Sequence, residues 1–398
     1  MNVSKRLRLN LIRLREPLVG YITGLSFVLF LLFFRLGSLV NGLSTSEART
    51  LEQSRSLRQL IENPLNLPYK LVEFGLIKWH HASTFGLRSI SVVFTLIIVC
   101  LFYYTLRSWY ARRTAILGTT LFATSSWLMH YARLAQPDIL YISIIAVLAY
   151  GTWLRQTKKS GLAIIIGGLL AVFLVYIPGF IWFVLLGGLW QRKMIFKHYK
   201  LRTMTGFLSI FMSCALLVPL IYGLALYPGQ IRQLLGLQLV GLPNFLDILH
   251  RIIKIPYLLF VRADYSPVTW LGHLPLLDIL VIVMLLLGLY AYYFLRELDR
   301  SRAMLGISLV SVILIGLHGG VSMLILMPII YILVAAGIAL LIQQWLTVFP
   351  RNPLAGAIGT VMISLSVMLA VYYNVNHYFI AWPNNPDTKK AFIIRSPQ

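Results

Sequence analysis

Long apolar runs follow one another along this chain, separated by short polar segments. About eleven such runs are predicted as helices, over 17–36, 84–106, 115–130, 139–154, 162–175, 177–190, 204–226, 274–295, 303–317, 321–342 and 354–374. The runs are continuous rather than alternating, which favours helices over the strands of a membrane barrel. The pattern therefore predicts an all-α polytopic membrane protein with about eleven transmembrane helices.

The composition agrees with this prediction. The chain has 398 residues, of which 59% are hydrophobic and only 12% are charged. A soluble domain of this length would need far more polar surface. Both cysteines, Cys100 and Cys214, fall within predicted spans, so they carry no information on the redox compartment. Because no segment is large enough for a separate soluble domain, we expect a single transmembrane domain over 1–398.

The basic residues predict how the spans are oriented. A formal net charge of +23 would suggest a nucleic-acid partner in a soluble protein, but membrane proteins collect Lys and Arg in their cytoplasmic loops. With the N-terminus in the cytoplasm, the short basic loops all fall on the cytoplasmic side, at 107–113, 155–159, 191–202, 296–302 and just before Asn352. We therefore expect a multi-pass protein of the plasma membrane, with no nucleic-acid partner and with an uncleaved first span.

Several acidic residues lie on the predicted external side, which receives the longer segments 37–83, 227–273 and a tail over 375–398. In "LSTSEART", Ser44 and Glu47 have the spacing of a capping box, in which the two side chains cap the start of a helix. The following pattern, up to Ile61, predicts an amphipathic interfacial helix in the first external loop. Glu47 is therefore a helix cap, a catalytic carboxylate, or both.

Asp138, in "HYARLAQPDIL", opens the fourth predicted span at its external end. The simpler interpretation is a helix cap, because an Asp at this position satisfies free amides and the helix dipole. An acid beside Arg133 at the membrane boundary also suits chemistry on a lipid phosphate, in which a carboxylate deprotonates an acceptor and cations hold the leaving phosphate. The pair His80-His81 does not predict a metal site, since adjacent helical side chains diverge by about 100°.

Taken together, these motifs resemble the lipid-linked-sugar glycosyltransferases of the GT-C fold, especially the protein O-mannosyltransferases and the aminoarabinose transferases that act on lipid A. In that superfamily an acidic motif with a nearby Arg opens the first external loop. A Pro-rich motif with a basic residue follows, and then an Asp a few residues after an Arg near the fourth span. "SEART", "NPLNLPYKL" and "ARLAQPDIL" stand here in the same order, within about 17–151.

The resemblance implies a GT-C-like enzyme that moves a sugar from a polyprenyl-phosphate donor to an acceptor at the outer membrane face. The acceptor class, a lipid, a glycan or a protein, is left open. The residues that match the family motifs are Glu47, Arg49, Lys70, Arg133 and Asp138. Glu47 and Asp138 would be catalytic, and the three basic residues would bind substrate. The donor is the only small molecule implied, and whether a divalent metal bridges the acids is left open.

A further external segment, "FVRADYSPVTW", combines Arg262 and Asp264 with aromatic residues typical of a membrane interface. The simpler interpretation is a loop that re-enters the eighth predicted span. The functional interpretation is that the segment folds over the cavity between Glu47 and Asp138, where Arg262 meets the donor phosphate and Asp264 helps to bind substrate.

Two other functions remain as alternatives. A transporter or lipid flippase would place ionisable residues and helix breaks near the middle of the bilayer, whereas the predicted spans are almost uncharged there. A non-catalytic subunit of an envelope-assembly complex would need no pair of acids. The sequence favours the transferase because its acids lie at the ends of the spans.

Overall fold

The computed structural model describes residues 22–156, 161–201, 203–238, 241, 243–317, 320–349 and 353–392. The regular structure of these residues is helical, without strands, so the predicted all-α class is confirmed for this part of the chain. The N-terminal basic stretch and the last six residues of the predicted tail lie outside the described residues.

The helices before residue 202 are short in the first predicted loop and longer after it. In chain order they are α1 (Ile22–Phe33), α2 (Thr45–Gln53), α3 (Leu57–Glu62), α4 (Leu67–Lys78), α5 (Thr84–Trp109), α6 (Arg112–Thr124), α7 (Ser126–Ala132), α8 (Ile144–Gln156), α9 (Gly161–Val175) and α10 (Ile181–Leu201). A 3-10 helix over Pro137–Ser143 leads directly into α8.

The helices after residue 202 follow the same pattern of long apolar helices separated by shorter segments. They are α11 (Thr203–Leu226), α12 (Gln230–Leu234), α13 (Phe245–Phe260), α14 (Ile279–Phe294), α15 (Asp299–Gly316), α16 (Met327–Val348), α17 (Pro353–Asn376), α18 (Trp382–Asn384) and α19 (Pro386–Ala391). A 3-10 turn over Met323–Leu326 precedes α16, and a π-helical turn over His377–Ala381 joins α17 to α18.

Five helical segments in the described residues are long and apolar enough to cross a membrane. They are Thr84–Trp109, Pro137–Gln156, Met204–Leu226, Met323–Val348 and Gly356–Asn384. The chain is therefore an all-helical protein with the helices of a membrane protein, but the expected count of about eleven spans is wrong. The predicted runs do coincide with helices, so the error lies in their lengths and ends.

The missing spans have a physical explanation. Three apolar helices, α1, α9 and α14, have only 10 to 17 residues, and a helix of 16 residues is about 24 Å long, short of the roughly 30 Å of a hydrocarbon core. The run over 115–130 is broken at Ser125, between α6 and α7. Helices α10 and α15 each include a strongly charged end, as in Asp299 to Arg302.

Two predicted segments differ in detail. The amphipathic helix expected in the first loop is divided into α2 and α3, because Ser54 ends the first helix and Ser56 caps the second by accepting a hydrogen bond from the amide of Gln59. The tail expected from residue 375 instead begins as a continuation of α17, which extends through the π-helical turn to Asn384.

The buried core lies where α5, α6 and α16 meet. Phe102 stacks on Phe122 with ring centroids 4.2 Å apart, and Phe122 meets the ring of Tyr331 edge-on at 5.7 Å. Beside this core, α14 and α16 cross with their backbones in direct contact. A Cβ atom on Gly288 would lie 1.9 Å from the carbonyl oxygen of Leu333. Small residues at such crossings allow helices to approach closely in membranes.

This crossing predicts that Gly288→Ala separates α14 from α16 and lowers stability. The added methyl group would meet rigid backbone, and overpacking of this kind costs about 1–3 kcal/mol. The thermal midpoint of the detergent-solubilised protein should fall measurably. Gly187→Ala, on α10, is the matched control because a Cβ atom there meets nothing within 4 Å. Equal midpoints for the two variants would contradict the close crossing.

Candidate functional site

The acidic motif of the first loop forms the N-terminus of α2. The hydroxyl of Ser44 accepts a hydrogen bond from the amide of Glu47 at 3.3 Å, and the amide of Ser44 donates to Glu47 Oε2 at 2.8 Å. The predicted capping box is therefore confirmed. Each residue satisfies an amide that the first turn of a helix would otherwise leave free.

Glu47 also forms a buried ion pair with Arg88, four residues into α5. Arg88 Nε lies 2.9 Å from Glu47 Oε1 and Nη2 lies 3.2 Å from Oε2, and both side chains are excluded from solvent. The remaining donor capacity of the guanidinium is used by backbone carbonyls, including that of Gly42 at 2.9 Å. Gly42 has φ = 97°, a conformation that glycine adopts without strain. The pair therefore fastens the turn before α2 to α5.

The second acidic motif meets the first at the same carboxylate. The amide of Ala135 donates to Glu47 Oε1 at 2.9 Å, across a sequence separation of 88 residues. Beside it, the side-chain amide of Gln136 donates to the hydroxyl of Ser46. "SEART" and "ARLAQPDIL" are thus joined by direct hydrogen bonds. Ser46, next to Glu47, thus makes a second contact between the two motifs.

Asp138 differs from Glu47 in its surroundings. It lies in the first turn of the 3-10 helix over Pro137–Ser143, and its side chain is half-buried. Among the described residues, no hydrogen bond or ion pair involves its carboxylate. Both oxygens of Glu47, in contrast, already accept from Arg88 and from backbone or hydroxyl donors. Of the two predicted catalytic acids, Asp138 is therefore the one whose oxygens are free to interact with a substrate.

Tyr69, on α4, is a buried residue whose phenol lies in the electric field of three carboxylates. Its hydroxyl and that of Ser91 share a hydrogen bond of 2.9 Å, and Ser91 donates in turn to the carbonyl of Leu134 at 2.6 Å. Burial raises the pKa of the Tyr69 phenol well above its ordinary value, and the negative charges of Glu73, Glu47 and Asp138 raise it further, whereas the hydrogen bond with Ser91 lowers it. The charges of all three carboxylates therefore act on this phenol.

Glu73 is a buried acid that the sequence reasoning did not select. Its Oε2 accepts a hydrogen bond of 2.7 Å from Ser54, while Oε1 is buried and has no partner among the described residues. Burial raises the pKa of this carboxyl from 4.5 to about 7, although Ser54 and Lys70 lower it. The sequence does carry an indication of this burial, because Glu73 is the one acid in the apolar run "LVEFGL".

The predicted cations divide into buried and exposed groups. Lys70 is buried, donates to the carbonyl of Asn63 at 3.1 Å, and has its pKa lowered to about 8, mainly by burial. Arg133 is also buried, donates to the carbonyls of Leu31 and Phe34, and lies over the ring of Phe379 at 4.6 Å. Arg49, on α2, is exposed. Only Arg49 of these three presents its charge to solvent.

The segment after α13 is more open than the rest of the site. Arg262 is exposed, and no hydrogen bond or ion pair in the described residues joins it to Glu47 or Asp138. Asp264 is exposed and pairs with Lys254 at 2.8 Å. The end of the segment is anchored, since the indole of Trp382 donates to the carbonyl of Pro267 at 3.1 Å. Whether Arg262 reaches a bound phosphate stays a prediction.

Metal ligands do not gather at this site. Within the described ranges, no three side chains of His, Cys, Asp or Glu come together in a group that could hold an ion. His130, which precedes Arg133, is instead enclosed by the rings of Trp270, Tyr378 and Trp382. The site is therefore a cluster of carboxylates, hydroxyls and cations rather than a recognisable metal centre in this part of the chain.

The raised pKa of Glu73 predicts a pH-dependent stability. Between pH 4.5 and 7 the folded protein keeps a proton that the unfolded chain releases, so the free energy of unfolding should fall as pH rises, by up to about 3 kcal/mol. Glu73→Gln should flatten this slope in thermal melts of the detergent-solubilised protein. Glu52→Gln, at an exposed position of α2, should keep it. A wild-type slope in the Glu73→Gln variant would exclude Glu73 as its source.

The buried pair predicts a large cost for Glu47→Gln. The substitution leaves Arg88 buried without its carboxylate, and such changes typically cost about 3–5 kcal/mol. Glu62→Gln is the matched control, because it breaks an ion pair with Arg58 that is exposed to solvent and therefore contributes little to stability. Adding Arg88→Met to Glu47→Gln should recover part of the loss. The prediction fails if Glu47→Gln and Glu62→Gln give the same thermal midpoint.

Comparison with known proteins adds no relative. No protein-family model matches the chain, and a search of curated proteins finds no significant match. The likeness to the GT-C transferases therefore rests on the three motifs alone, of which the structure joins "SEART" to "ARLAQPDIL" through Glu47 and Ser46. What the chain shares with membrane proteins in general is its set of long apolar helices.

Proposed function

We propose that this protein is an integral-membrane glycosyltransferase, which moves a sugar from a polyprenyl-phosphate donor to an acceptor at the outer face of the plasma membrane. The observation that carries the proposal is the carboxylate of Asp138, which has no partner in the described part of the chain and belongs to a motif that Glu47 holds in place. Catalytic groups need fixed positions and unengaged reactive atoms. This arrangement supplies both from residues far apart in sequence.

The position of the site suits a substrate with a lipid tail. Asp138 lies at the start of the membrane-spanning segment Pro137–Gln156, and Arg88 lies near the start of Thr84–Trp109. The phosphate and sugar of a polyprenyl-phosphate donor would meet the protein at such helix ends, while its tail stays among apolar helices. Arg107 and Arg155 stand at the opposite ends of these two segments, and because basic residues collect on the cytoplasmic side, this end is expected to face outward.

Asp138 acts as the general base in this proposal. Its carboxylate takes the proton of an acceptor hydroxyl, and the acceptor oxygen forms a bond to the anomeric carbon of the sugar. The bond between that carbon and the phosphate oxygen breaks, and polyprenyl phosphate leaves with the electron pair. Arg49 is an exposed cation two residues beyond Glu47 and would stabilise this phosphate, with Arg262 as a second candidate.

Glu47 positions the site rather than taking the proton. Its two oxygens accept from Arg88, the amide and hydroxyl of Ser44, and the amide of Ala135. Neither oxygen is therefore left unengaged, whereas a general base needs a free oxygen to take a proton. The same carboxylate fixes Ala135, three residues before Asp138.

The distribution of charge favours a transferase over a transporter or flippase. In the five segments of membrane-spanning length, acidic and basic residues lie only near the ends, as Asp138 and Arg155 do in Pro137–Gln156. A transporter would be expected to carry ionisable groups near the middle of the bilayer. A non-catalytic subunit would have no need to leave Asp138 unpaired.

The proposal predicts that Asp138→Asn abolishes transfer without unfolding the protein. Loss of a general base typically lowers the rate by about 10²–10⁴-fold. The assay follows free polyprenyl phosphate released from a panel of hexosyl and pentosyl donors in membranes that contain the protein, since this product does not depend on the acceptor. Asp247→Asn, at an exposed position of α13, is the control. Full activity of the Asp138→Asn variant would remove Asp138 from the mechanism.

A further inference from the structure

A wide cavity lies at the opposite end of the helices from the candidate site. It has a volume of about 710 Å³ and is enclosed by the end of α5, α8, α10 and the start of α15. Its walls are mostly apolar, with Leu148, Phe183 and Ile307 among them. The volume falls within the roughly 300–1,000 Å³ of typical ligand sites. We call it the arginine-rimmed cavity, after Arg155, Arg300 and Arg302, which also line it.

The three arginines differ in how their charges are balanced. Arg155 pairs with Asp299 at 3.3 Å, and Arg302 pairs with Glu297 at 3.0 Å. Arg300 has no carboxylate partner among the described residues. It donates to the carbonyl of Trp109 at 3.3 Å, while its Nε is buried and has no hydrogen-bond partner in the described part of the chain. In the described residues, the cavity therefore carries one guanidinium that faces the ring of Tyr110, 5.5 Å from its centroid, and no carboxylate.

The charged end of the cavity lies at the level of the second membrane interface, as the length of α5 indicates. Arg88 and Trp109 are separated by 21 residues of continuous helix in α5, which corresponds to about 32 Å. This length is close to the thickness of a hydrocarbon core, about 30 Å. Trp109 and Trp190 both line the cavity, and Trp is enriched at membrane interfaces. This end is the one predicted to face the cytoplasm.

The apolar part of the cavity opens sideways. Leu189 on α10 and Leu309 on α15 both line it, yet they are 64% and 58% exposed. Apolar side chains so exposed at this level of a transmembrane protein would face acyl chains rather than water. An occupant can therefore enter from the bilayer, with an apolar part between the helices and a charged part beside the arginines.

We propose that the arginine-rimmed cavity binds one anionic lipid of the bilayer, with its headgroup phosphate on Arg300 and an acyl chain along Leu148, Phe183 and Ile307. A planar guanidinium can hold two phosphate oxygens at once. Among the described residues, the mouth holds three arginines against Asp299 and Glu297, and this net positive charge favours an anionic lipid over a zwitterionic one. The lipid site is separate from the sugar-transfer site and does not depend on that function.

Native mass spectrometry of the detergent-solubilised full chain tests the proposal. The protein is titrated with phosphatidylglycerol, with phosphatidylcholine as the zwitterionic lipid and inorganic phosphate as the headgroup alone. Arg300→Gln removes the guanidinium charge, and Gly306→Leu fills the cavity from α15, where a Cβ atom meets nothing within 4 Å. The matched controls are Arg58→Gln, far from the cavity, and Gly24→Leu, a helical glycine that also has open space around it.

The wild-type protein should bind one phosphatidylglycerol molecule more tightly than phosphatidylcholine. Arg300→Gln should weaken phosphatidylglycerol binding about tenfold, the effect of losing one charge-assisted hydrogen bond, with little effect on phosphatidylcholine. Gly306→Leu should remove the bound lipid, and both controls should bind as the wild type does. Equal binding of the two lipids, or normal phosphatidylglycerol binding by either test variant, would overturn the proposal. So would saturation of the site by inorganic phosphate alone with no requirement for a chain.

Discussion

The ion pair between Glu47 and Arg88 holds together the end of the molecule where the candidate site lies. Burying two charges costs several kcal/mol for each ion unless hydrogen bonds replace the lost water. Here that replacement is nearly complete, because the carboxylate accepts from Ser44 and Ala135 as well as from Arg88, and the guanidinium donates to backbone carbonyls such as that of Gly42. The loop before α2, helix α5 and the second acidic motif are thereby fixed to one another.

The two ends of the helices have different chemistry. At one end, three carboxylates raise the pKa of Tyr69, and Asp138 is left without a partner among the described residues. At the other end, arginines line a wide apolar cavity, and Arg300 has no carboxylate partner in the same part of the chain. An unpaired acid suits proton transfer, whereas an unpaired guanidinium suits a phosphate. Arg88 and Trp109 mark the two ends on α5, and they are separated by about the thickness of a hydrocarbon core.

Much of the fold and part of the site could be predicted from the sequence. The helical class and the capping box of Ser44 and Glu47 follow from local patterns, because periodicity and spacing are local properties. The count of spans could not be predicted, since the break at Ser125 and the charged start of α15 depend on where helices end. The roles of Arg88 and Glu73 could not be predicted either, because a charge buried by packing has no local sequence signature.

The bonds to the Glu47 carboxylate have a consequence for the order in which the protein folds during synthesis. Glu47 emerges from the ribosome before Arg88, and both precede Ala135, whose amide completes the bonds to Glu47. Until Ala135 is in place, the turn that contains Gly42 and the start of α2 lack one of their attachments. The first loop therefore reaches its final arrangement only after α5 and the second acidic motif have entered or reached the membrane, so the site closes late in biosynthesis even though its first residues are among the earliest to be translated.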